Sequence, residues 1–419
     1  MPRAGQLKPP SDRRLSDHVS IGVLTRVFPP ELVDGVVAEA ERTERRHRLL
    51  PARVVVYYVL AMALFADASY EEVMRQLVEG LAWESGWQQV WEVPSKVAIY
   101  KARRRLGQEP LELLFRAVAV PLATESTREA FYRGMRLVSL DGTCLDVADT
   151  EHNTEVFGRP GSSRRQGGGA FPQLRLVALA ESGTHAIFDA ALGPYTSSEQ
   201  ALADRLWASL QNGMLCLADR NFYSFERFQT ARATGAQLLW RVNSTVGLPR
   251  EQTLPDGSYL TSIYALKNRK ARRDGERARV VEYQLDDPAL ADDEQRYRLI
   301  TTILDPDAAP AQELAALYPQ RWEIESALDE LKTHQRGPRV VLRSKHPDGV
   351  YQEAYGHLAT HYAIRRVMHD AALKADLVPH RLSFIRSLRA ARRSTRTQPG
   401  FSPPQHRRRA RSGDQRDPR

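Results

Sequence analysis

The sequence predicts an α/β protein in which a mixed sheet with flanking helices follows an all-helical N-terminal region. Two observations predict this class. From Ile21 to Glu92 apolar residues recur at helical spacing, and Arg53–Ala66 is apolar on all sides, as in a buried helix. Beyond Thr127 short apolar runs alternate with helical segments in the order strand, strand, strand, helix, strand, helix, strand, which is an α/β pattern.

The composition is that of a soluble globular protein. Its 419 residues suffice for two or three domains, with 42% hydrophobic and 26% charged residues. The longest apolar run, Val54–Ala66, has 13 residues, short of the roughly 20 needed to span a bilayer. Met1–Arg14 lacks the apolar stretch of a secretory signal, and two cysteines indicate no disulfide framework. We expect a cytoplasmic protein with no membrane association.

The net charge of +9 is concentrated at the C-terminus. Residues 379–419 contain 12 arginines and two aspartates, a net +10, so residues 1–378 sum to −1. Nucleic-acid binding therefore has to be argued from local patches. We expect residues 376–419 to be an Arg-rich disordered tail that either contacts DNA nonspecifically or only solubilises the chain. The Pro-rich residues 1–14 are also expected to be disordered.

A short basic helix is predicted after Ser95, which can cap it, and before Gly107, which ends it. Such a helix behind a turn is what a helix-turn-helix protein places in the major groove, although a plain amphipathic helix fits as well. Lys101 and Arg104 are the candidate DNA contacts. The residues expected on its exposed side are Lys96, Lys101, Arg103, Arg104 and Arg105.

Two aspartates follow apolar strands of the predicted sheet. Met135–Leu140 leads into Asp141, and Gly213–Ala218 leads into Asp219. Functional groups gather beyond strand ends in open α/β sheets. The other predicted strands are Leu174–Ala180, Ala186–Leu192, Ala236–Val242 and Tyr297–Leu304, and the predicted helices are Ser197–Leu210, Phe225–Thr234 and 349–373.

Two segments between these elements are polar. Arg159–Gly169 reads as a mobile loop whose Arg164 and Arg165 could touch phosphate. It lacks the Gly-Lys-Ser/Thr ending of a phosphate-cradling loop, so we expect no nucleotide cofactor. Residues 245–296 are rich in turn signals and predict a small inserted β subdomain.

A charged helix is predicted over Tyr318–Lys332. At about 100° per residue, Tyr318, Arg321 and Lys332 lie within roughly 40° of Glu325 on the helical wheel. One face therefore carries an acid, two bases and a phenol. A solvated charged face is the plain interpretation of this helix by itself.

Three acids together suit metal-assisted phosphodiester chemistry. Asp141 alone would read as a turn residue and Asp219 as the partner of Arg220 in an ion pair. Together with Glu325 they provide the carboxylates that two divalent cations about 3.5–4 Å apart require. Mg²⁺ prefers such oxygen ligands, completed by substrate and water.

These residues resemble the DDE transposases of bacterial insertion sequences, specifically the insertion element four group with a Tyr-x2-Arg-x3-Glu-x6-Lys signature. Here the signature is Tyr318, Arg321, Glu325 and Lys332, without departure in spacing. Asp141-Gly142-Thr143 resembles the family's first acidic motif. Asp219-Arg220-Asn221-Phe222-Tyr223 resembles the second, with Asn221 where many members carry Gly.

The resemblance implies a ribonuclease-H-like core with a β-rich insertion at 245–300. It implies catalytic and metal-binding roles for Asp141, Asp219 and Glu325 with two Mg²⁺ ions, for which Mn²⁺ may substitute. Arg321, Lys332 and Tyr318 would contact DNA near the cut. Double-stranded DNA, as terminal inverted repeats and target, would be the partner of a homodimer associated with the nucleoid.

The sequence thus predicts a helical DNA-binding domain over 15–125 and a catalytic domain over 126–375. Two alternatives remain open: a metal-dependent nuclease of the same fold without strand transfer, and a non-catalytic DNA-binding remnant. Other candidate sites are weak. His357 and His361 have metal-binding helical spacing but lack the required Glu, which favours a structural role. Glu330 is expected to be dispensable for activity, and Asp329 is not distinguished from Glu325 by geometry.

Overall fold

The structure is a computed structural model that describes residues 23–44, 46, 48, 50–84, 93–161, 171–268, 270–284, 297–337, 341–379 and 382–394. Arg164, Arg165, residues 1–14 and the end of the tail lie outside these ranges. The strands are β1 Phe131–Tyr132, β2 Met135–Asp146, β3 Gln173–Glu181, β4 Ala186–Pro194, β5 Met214–Ala218, β6 Gln237–Arg241, β7 Gln252–Thr253, β8 Tyr259–Ile263, β9 Glu276–Tyr283 and β10 Tyr297–Thr301.

The N-terminal region is made of helices, and further helices follow and alternate with the strands. They are α1 Val23–Val27, α2 Pro30–Glu39, α3 Ala52–Leu64, α4 Tyr70–Glu84, α5 Lys96–Leu106, α6 Glu109–Val118, α7 Glu151–Phe157, α8 Glu199–Ala203, α9 Phe225–Ala233, α10 Ala311–Leu317, α11 Glu323–Asp329, α12 Pro347–Lys374 and α13 Phe384–Ser394. Among the described residues, none of the helices combines the length and apolar composition that crossing a bilayer requires.

The described strands form one mixed sheet in the order β4-β3-β2-β5-β6-β10-β9-β8-β7, with β1 paired to β2. β2, β3 and β4 are antiparallel neighbours, whereas β5 and β6 run parallel to β2. This order and these directions are those of a ribonuclease-H-like core, so the predicted fold class is confirmed.

The inserted segment does not form a subdomain of its own. Strands β7, β8 and β9 continue the main sheet through β10, which pairs with β6. The segment is β-rich as predicted, but the prediction that it forms a small subdomain is wrong, because its strands extend the main sheet. Val280 on β9 and Ile300 on β10 join the sheet's own core, because their apolar side chains bury area against the same face.

The N-terminal helices share one hydrophobic core with α11, α12 and part of the sheet. Residues of α1 to α6 pack with α11, α12 and one face of β3 and β4. Tyr57 on α3 donates its hydroxyl to the carbonyl of Phe28 at 2.8 Å, and both are buried. The opposite face of the sheet is covered by α8 and α9, where Trp207 stacks on Trp240 with ring centroids 5.7 Å apart.

Three local predictions outside the candidate site differ from the structure. Ser197–Leu210 is broken into α8 and a 3₁₀ turn at Trp207–Ser209, since Leu202, Leu206 and Trp207 follow the sheet surface. The tail predicted as disordered contains α13, because Phe384, Leu388 and Ala391 recur at helical spacing and are buried. Helices α6, α7 and α10 were not predicted.

The third difference is the position of Arg103 on α5. The start and end of this helix are as predicted, since Ser95 Oγ accepts a hydrogen bond from Ala98 N and Gly107 has φ +69°. Arg103 was expected on the exposed side, but it is buried and donates to Gln352 Oε1 at 3.0 Å and Ser344 Oγ at 2.9 Å. These bonds fix α5 to α12.

Candidate active site

Strands β2 and β5 bring the two aspartates together. Leu140 pairs with Ala218 across these parallel strands. Asp141 and Asp219 are the residues that follow this pair, and neighbouring strands of a sheet lie about 4.8 Å apart. Asp141 does not end its strand as expected. β2 continues to Asp146 because it pairs with β3, where Asp141 lies opposite Ala178. The pairing with β5 alone ends here, which leaves both carboxylates at the same edge.

Arg321 links the first acid to the third. Its Nη1 lies 3.0 Å from Asp141 Oδ2 and its Nη2 lies 3.2 Å from Glu325 Oε1. The Arg321 side chain is 8% exposed, whereas that of Glu325 is 42% exposed. The structure therefore brings Asp141, Asp219, Glu325 and Arg321 into one group at the edge of the sheet.

Burial disfavours the charged forms of Asp141 and Glu325. Burial raises the pKa of Asp141, and the charge of Asp219 raises it further, while the Gly142 amide and Arg321 oppose the shift. Burial also raises the pKa of Glu325, with Arg321 opposing and Asp141 and Asp219 adding to the rise. A cation placed among them would relieve this repulsion.

Carboxylate oxygens are the ligands that Mg²⁺ prefers, so the donor set fits a divalent cation. Within the described residues, however, no three His, Cys, Asp or Glu side chains are already arranged around a common metal position. The guanidinium of Arg321 lies between Asp141 and Glu325 instead. A metal ion held by both acids would require Arg321 to give up these contacts.

The segment carrying Glu325 is not one regular helix. A 3₁₀ turn at Tyr318–Trp322 leads into α11, and a π-helix over Glu330–Gln335 follows. The prediction of a continuous α-helix is wrong, and the angles calculated for it apply only within α11, which contains Glu325 but none of the other signature residues. Single π-helical turns are common at functional sites. Here the π-helix carries Lys332, whose Nζ lies 3.1 Å from Thr143 Oγ1, two residues from Asp141.

Tyr318 lies beneath the site. It is 6% exposed, and its hydroxyl donates to the carbonyl of Ala218, the residue before Asp219, at 3.3 Å. Burial raises the pKa of this hydroxyl. In this position Tyr318 supports the end of β5, and little of its side chain is exposed.

Two of the remaining candidate DNA contacts lie on α5, and the other two lie outside the described residues. Lys101 and Arg104 are exposed on α5, which packs on α3, α4 and α12. Arg104 Nη1 lies 3.2 Å from Asp348 Oδ2. Arg164 and Arg165 fall on residues that the structure does not describe.

Sequence reasoning missed Glu199, a further carboxylate beside the site. Gly142 has no side chain, and a Cβ placed there would lie 3.2 Å from Glu199 Cδ. Glu199 Oε1 is 3.5 Å from Arg175 Nη1. Burial raises the pKa of Glu199, and Asp141 and Asp219 contribute to the rise while Arg175 opposes it. The glycine after Asp141 was the available signal, because it indicates close approach of another group.

Sequence reasoning also missed a buried ionic cluster around Glu330. Arg365 Nε donates to Glu330 Oε2 at 2.8 Å, and His361 Nε2 lies 3.1 Å from the same oxygen. Burial alone would raise the pKa of Glu330, but hydrogen bonds from His185 and His361 and the charge of Arg365 hold it well below its usual range. His357 and His361 are buried, in line with the structural role predicted for them.

Comparisons with known proteins cover nearly the whole chain. The family model for the insertion element 4 transposase N-terminal region matches residues 18–116, and that for the transposase DDE domain matches residues 132–363. The transposase InsG for insertion sequence element IS4 of Escherichia coli (strain K12) is 28% identical over 378 residues, which cover 89% of this chain and 83% of InsG. The putative transposase InsZ of the same strain is 28% identical over 240 residues, 57% of this chain and 77% of InsZ.

The chain also aligns with solved structures. A cryo-electron microscopy structure of a piggyBac transposase synaptic complex with hairpin DNA superimposes with a TM-score of 0.47 at 11% identity, over 89% of this chain and 79% of that chain.

Proposed function

This chain belongs to the insertion element 4 family of DDE transposases, a class of nucleic-acid-cleaving enzymes, and we propose that it cuts and joins DNA at the terminal inverted repeats of its insertion sequence. The observation that carries the proposal is the group at the sheet edge. Asp141 and Asp219 stand on adjacent strands, and Arg321 bridges Asp141 to Glu325.

Asp141, Asp219 and Glu325 would hold two Mg²⁺ ions, or Mn²⁺ in their place. Asp141, which neighbours Asp219 across the strands and is linked to Glu325 by Arg321, would serve both ions. When bound, two such ions supply activation of the attacking oxygen and charge stabilisation of the leaving oxygen of a phosphodiester. The raised pKa values of Asp141 and Glu325 support this assignment, since bound cations would compensate the charge that burial leaves unsatisfied.

The basic residues of the site would hold the substrate. Once Asp141 and Glu325 no longer engage Arg321, its guanidinium is free to donate two parallel hydrogen bonds to a DNA phosphate. Lys332, anchored on Thr143, would bind a neighbouring phosphate as a point charge. Tyr318 would act as a positioning residue that keeps Asp219 in place through the end of β5.

Other parts of the chain would bind the rest of the DNA. The exposed Lys101 and Arg104 on α5 would contact the inverted repeat, and Arg164 and Arg165 would contribute phosphate contacts. Two copies of the chain would act together, one on each end of the element, at the nucleoid. Arg103 supports a fixed geometry between α5 and the cutting site, because its buried bonds join α5 to α12.

The test is cleavage and joining of matched end duplexes with Mg²⁺. Asp141→Asn, Asp219→Asn and Glu325→Gln should each reduce cleavage at least about a thousandfold, because they remove groups that act as a unit, while binding of the duplex is retained. Asp329→Asn is the matched control. It lies on the same helix with a 57% exposed side chain that hydrogen-bonds Thr333, and should leave cleavage unchanged.

Two outcomes would contradict the proposal. Full cleavage by Asp141→Asn or Glu325→Gln would remove the assigned acids from the reaction. Nicked products without any joined product, at all Mg²⁺ and Mn²⁺ concentrations, would indicate a nuclease rather than a transposase.

A further inference from the structure

Helix α13 has two chemically different faces. Phe384, Leu388 and Ala391 are buried and pack on α12 and on the π-helix that follows α11. Exposed arginines 386, 389 and 393 lie within about 60° of one another on the helical wheel, on the side away from this contact.

Side-chain contacts hold the helix in place. The guanidinium of Arg365 lies over the ring of Phe384, with Cζ 5.5 Å from the centroid. At the other end of α13, Arg392 Nε donates to the carbonyl of Leu64 at 2.6 Å. Because both ends are anchored to the protein core, the orientation of the exposed arginines is fixed as well.

The three exposed arginines have no acidic partner in the described part of the chain. Arg392, by contrast, lies 3.9 Å from Asp67. Arg386, Arg389 and Arg393 therefore present three uncompensated positive charges along one line. At about 1.5 Å rise per residue this line is roughly 10.5 Å long. One strand of duplex DNA carries about three phosphates over that distance, at about 3.4 Å of helix axis each.

The line of arginines begins at a cleft that Glu325 also lines. Ser383, Phe384 and Ile385 line the same cleft as Trp322 and Glu325. Arg386 is the next residue along α13, and Arg389 and Arg393 follow in the direction that leads away from the cleft. A duplex with its cut phosphodiester at Glu325 would thus have backbone within reach of α13.

We propose that the exposed face of α13 binds the phosphate backbone of the duplex that is cut, next to the cleavage position. Arg386, Arg389 and Arg393 each neutralise one phosphate and so keep the duplex in the cleft during cleavage. This inference rests on the proposed function of the Asp141, Asp219 and Glu325 site.

The test measures equilibrium binding of an end duplex at several salt concentrations, in an Asp141→Asn background so that no cutting occurs. The triple variant Arg386→Gln, Arg389→Gln, Arg393→Gln should lower the slope of log K against log salt by about 2 to 3, since each phosphate contact contributes about 0.9. The matching Lys triple should restore the slope, because a phosphate contact of this kind needs only a positive charge.

Two single variants serve as controls. Arg277→Gln removes the same charge from β9, which is separated from β2 by β5, β6 and β10 in the sheet order, and should leave the slope unchanged. Arg392→Gln removes it from the inward side of α13 and should lower the melting temperature, whereas the outward Gln triple should melt like the parent.

An unchanged slope in the Gln triple would overturn the inference. So would a triple variant, made with Asp141 intact, that binds and cuts the end duplex normally and fails only in joining to a separate target duplex. Binding is measured without cutting, so the two proposals can fail separately. If the expected slopes are found but the protein with Asp141 intact never cuts, the proposed function is contradicted and the α13 surface remains supported.

Discussion

Glu325 and Glu330 lie five residues apart on one segment, and each belongs to a cluster of charged side chains. The two clusters differ in how many donors each carboxylate receives. The outer cluster is Asp141, Arg321 and Glu325, where one guanidinium is shared by two carboxylates. The inner cluster is Glu330, Arg365, His361 and His185, where one carboxylate receives several donors. Both contain a glutamate and an arginine, but only the inner cluster contains histidines.

The pKa directions show what this difference means. In the inner cluster the donors outweigh burial, and the pKa of Glu330 is lowered. In the outer cluster burial and mutual repulsion outweigh Arg321, and the pKa values of Asp141 and Glu325 are raised. A carboxylate with a lowered pKa is held by the fold, whereas clustered carboxylates with raised pKa values still gain from an added cation.

The largest expected effect on stability is that of Glu330→Gln. It leaves Arg365 buried without its counter-charge, which typically costs about 3–5 kcal/mol. Chemical denaturation measures the free energy of unfolding. This loss of stability is separate from the sequence-based prediction that Glu330 is dispensable for activity. A loss below about 1 kcal/mol would show that the inner cluster does not hold the fold.

The two clusters should respond to acid in opposite directions. The lowered pKa of Glu330 contributes stability that is present above its unfolded value of about 4.3 and is lost as the pH falls below it. The raised pKa of Asp141 does the reverse, because protonation in the folded state favours folding as the pH falls toward about 3.9. Below pH 5, Glu330→Gln should therefore flatten the decline of stability with acid, and Asp141→Asn should steepen it.

Unfolding free energies measured from pH 7 to pH 3 check both directions. His357 adds a common background, since burial lowers its pKa to about 3 and the unfolded chain takes up its proton below about pH 6.5. Parallel profiles for wild type and both variants would mean that neither cluster has the electrostatics assigned to it.

The smallest expected effect is that of Tyr318→Phe. It removes the hydroxyl that donates to Ala218 and should cost about 1 kcal/mol of stability, as for a typical buried hydrogen bond. Because Tyr318 is buried, the affinity for an end duplex should not change. Weaker duplex binding by a similar factor at every salt concentration would instead support the direct DNA contact that the signature implied, since a neutral hydroxyl does not alter the salt slope.

The sequence reveals the outer cluster better than its surroundings. Asp141 and Asp219 are detectable because each follows an apolar run, and parallel neighbours place such residues at one edge. The inward turn of Arg103 is not detectable, because it depends on Ser344 and Gln352, about 240 residues away. Glu199 and Glu330 are missed for the same reason: their roles come from partners on other elements.

Local geometry also limits what the sequence can predict. A wheel of 100° per residue assumes one helix type, but the segment changes from 3₁₀ to α to π between Tyr318 and Gln335. The predicted i,i+4 contact between Arg321 and Glu325 is still formed, because both residues lie within two positions of the start of α11. Helix α13 was hidden by its arginines, which made the tail look disordered although Phe384 and Leu388 anchor it.

Manganese binding in the presence of an end duplex tests the central claim that the outer cluster, with Asp219, is the metal-dependent cutting site. Electron paramagnetic resonance reports free Mn²⁺ during a titration, independently of cleavage. Wild type and Asp329→Asn should bind Mn²⁺ tightly, and Asp141→Asn, Asp219→Asn and Glu325→Gln should each lose this binding while remaining folded. Tight Mn²⁺ binding retained by folded Asp141→Asn and Glu325→Gln would contradict the account.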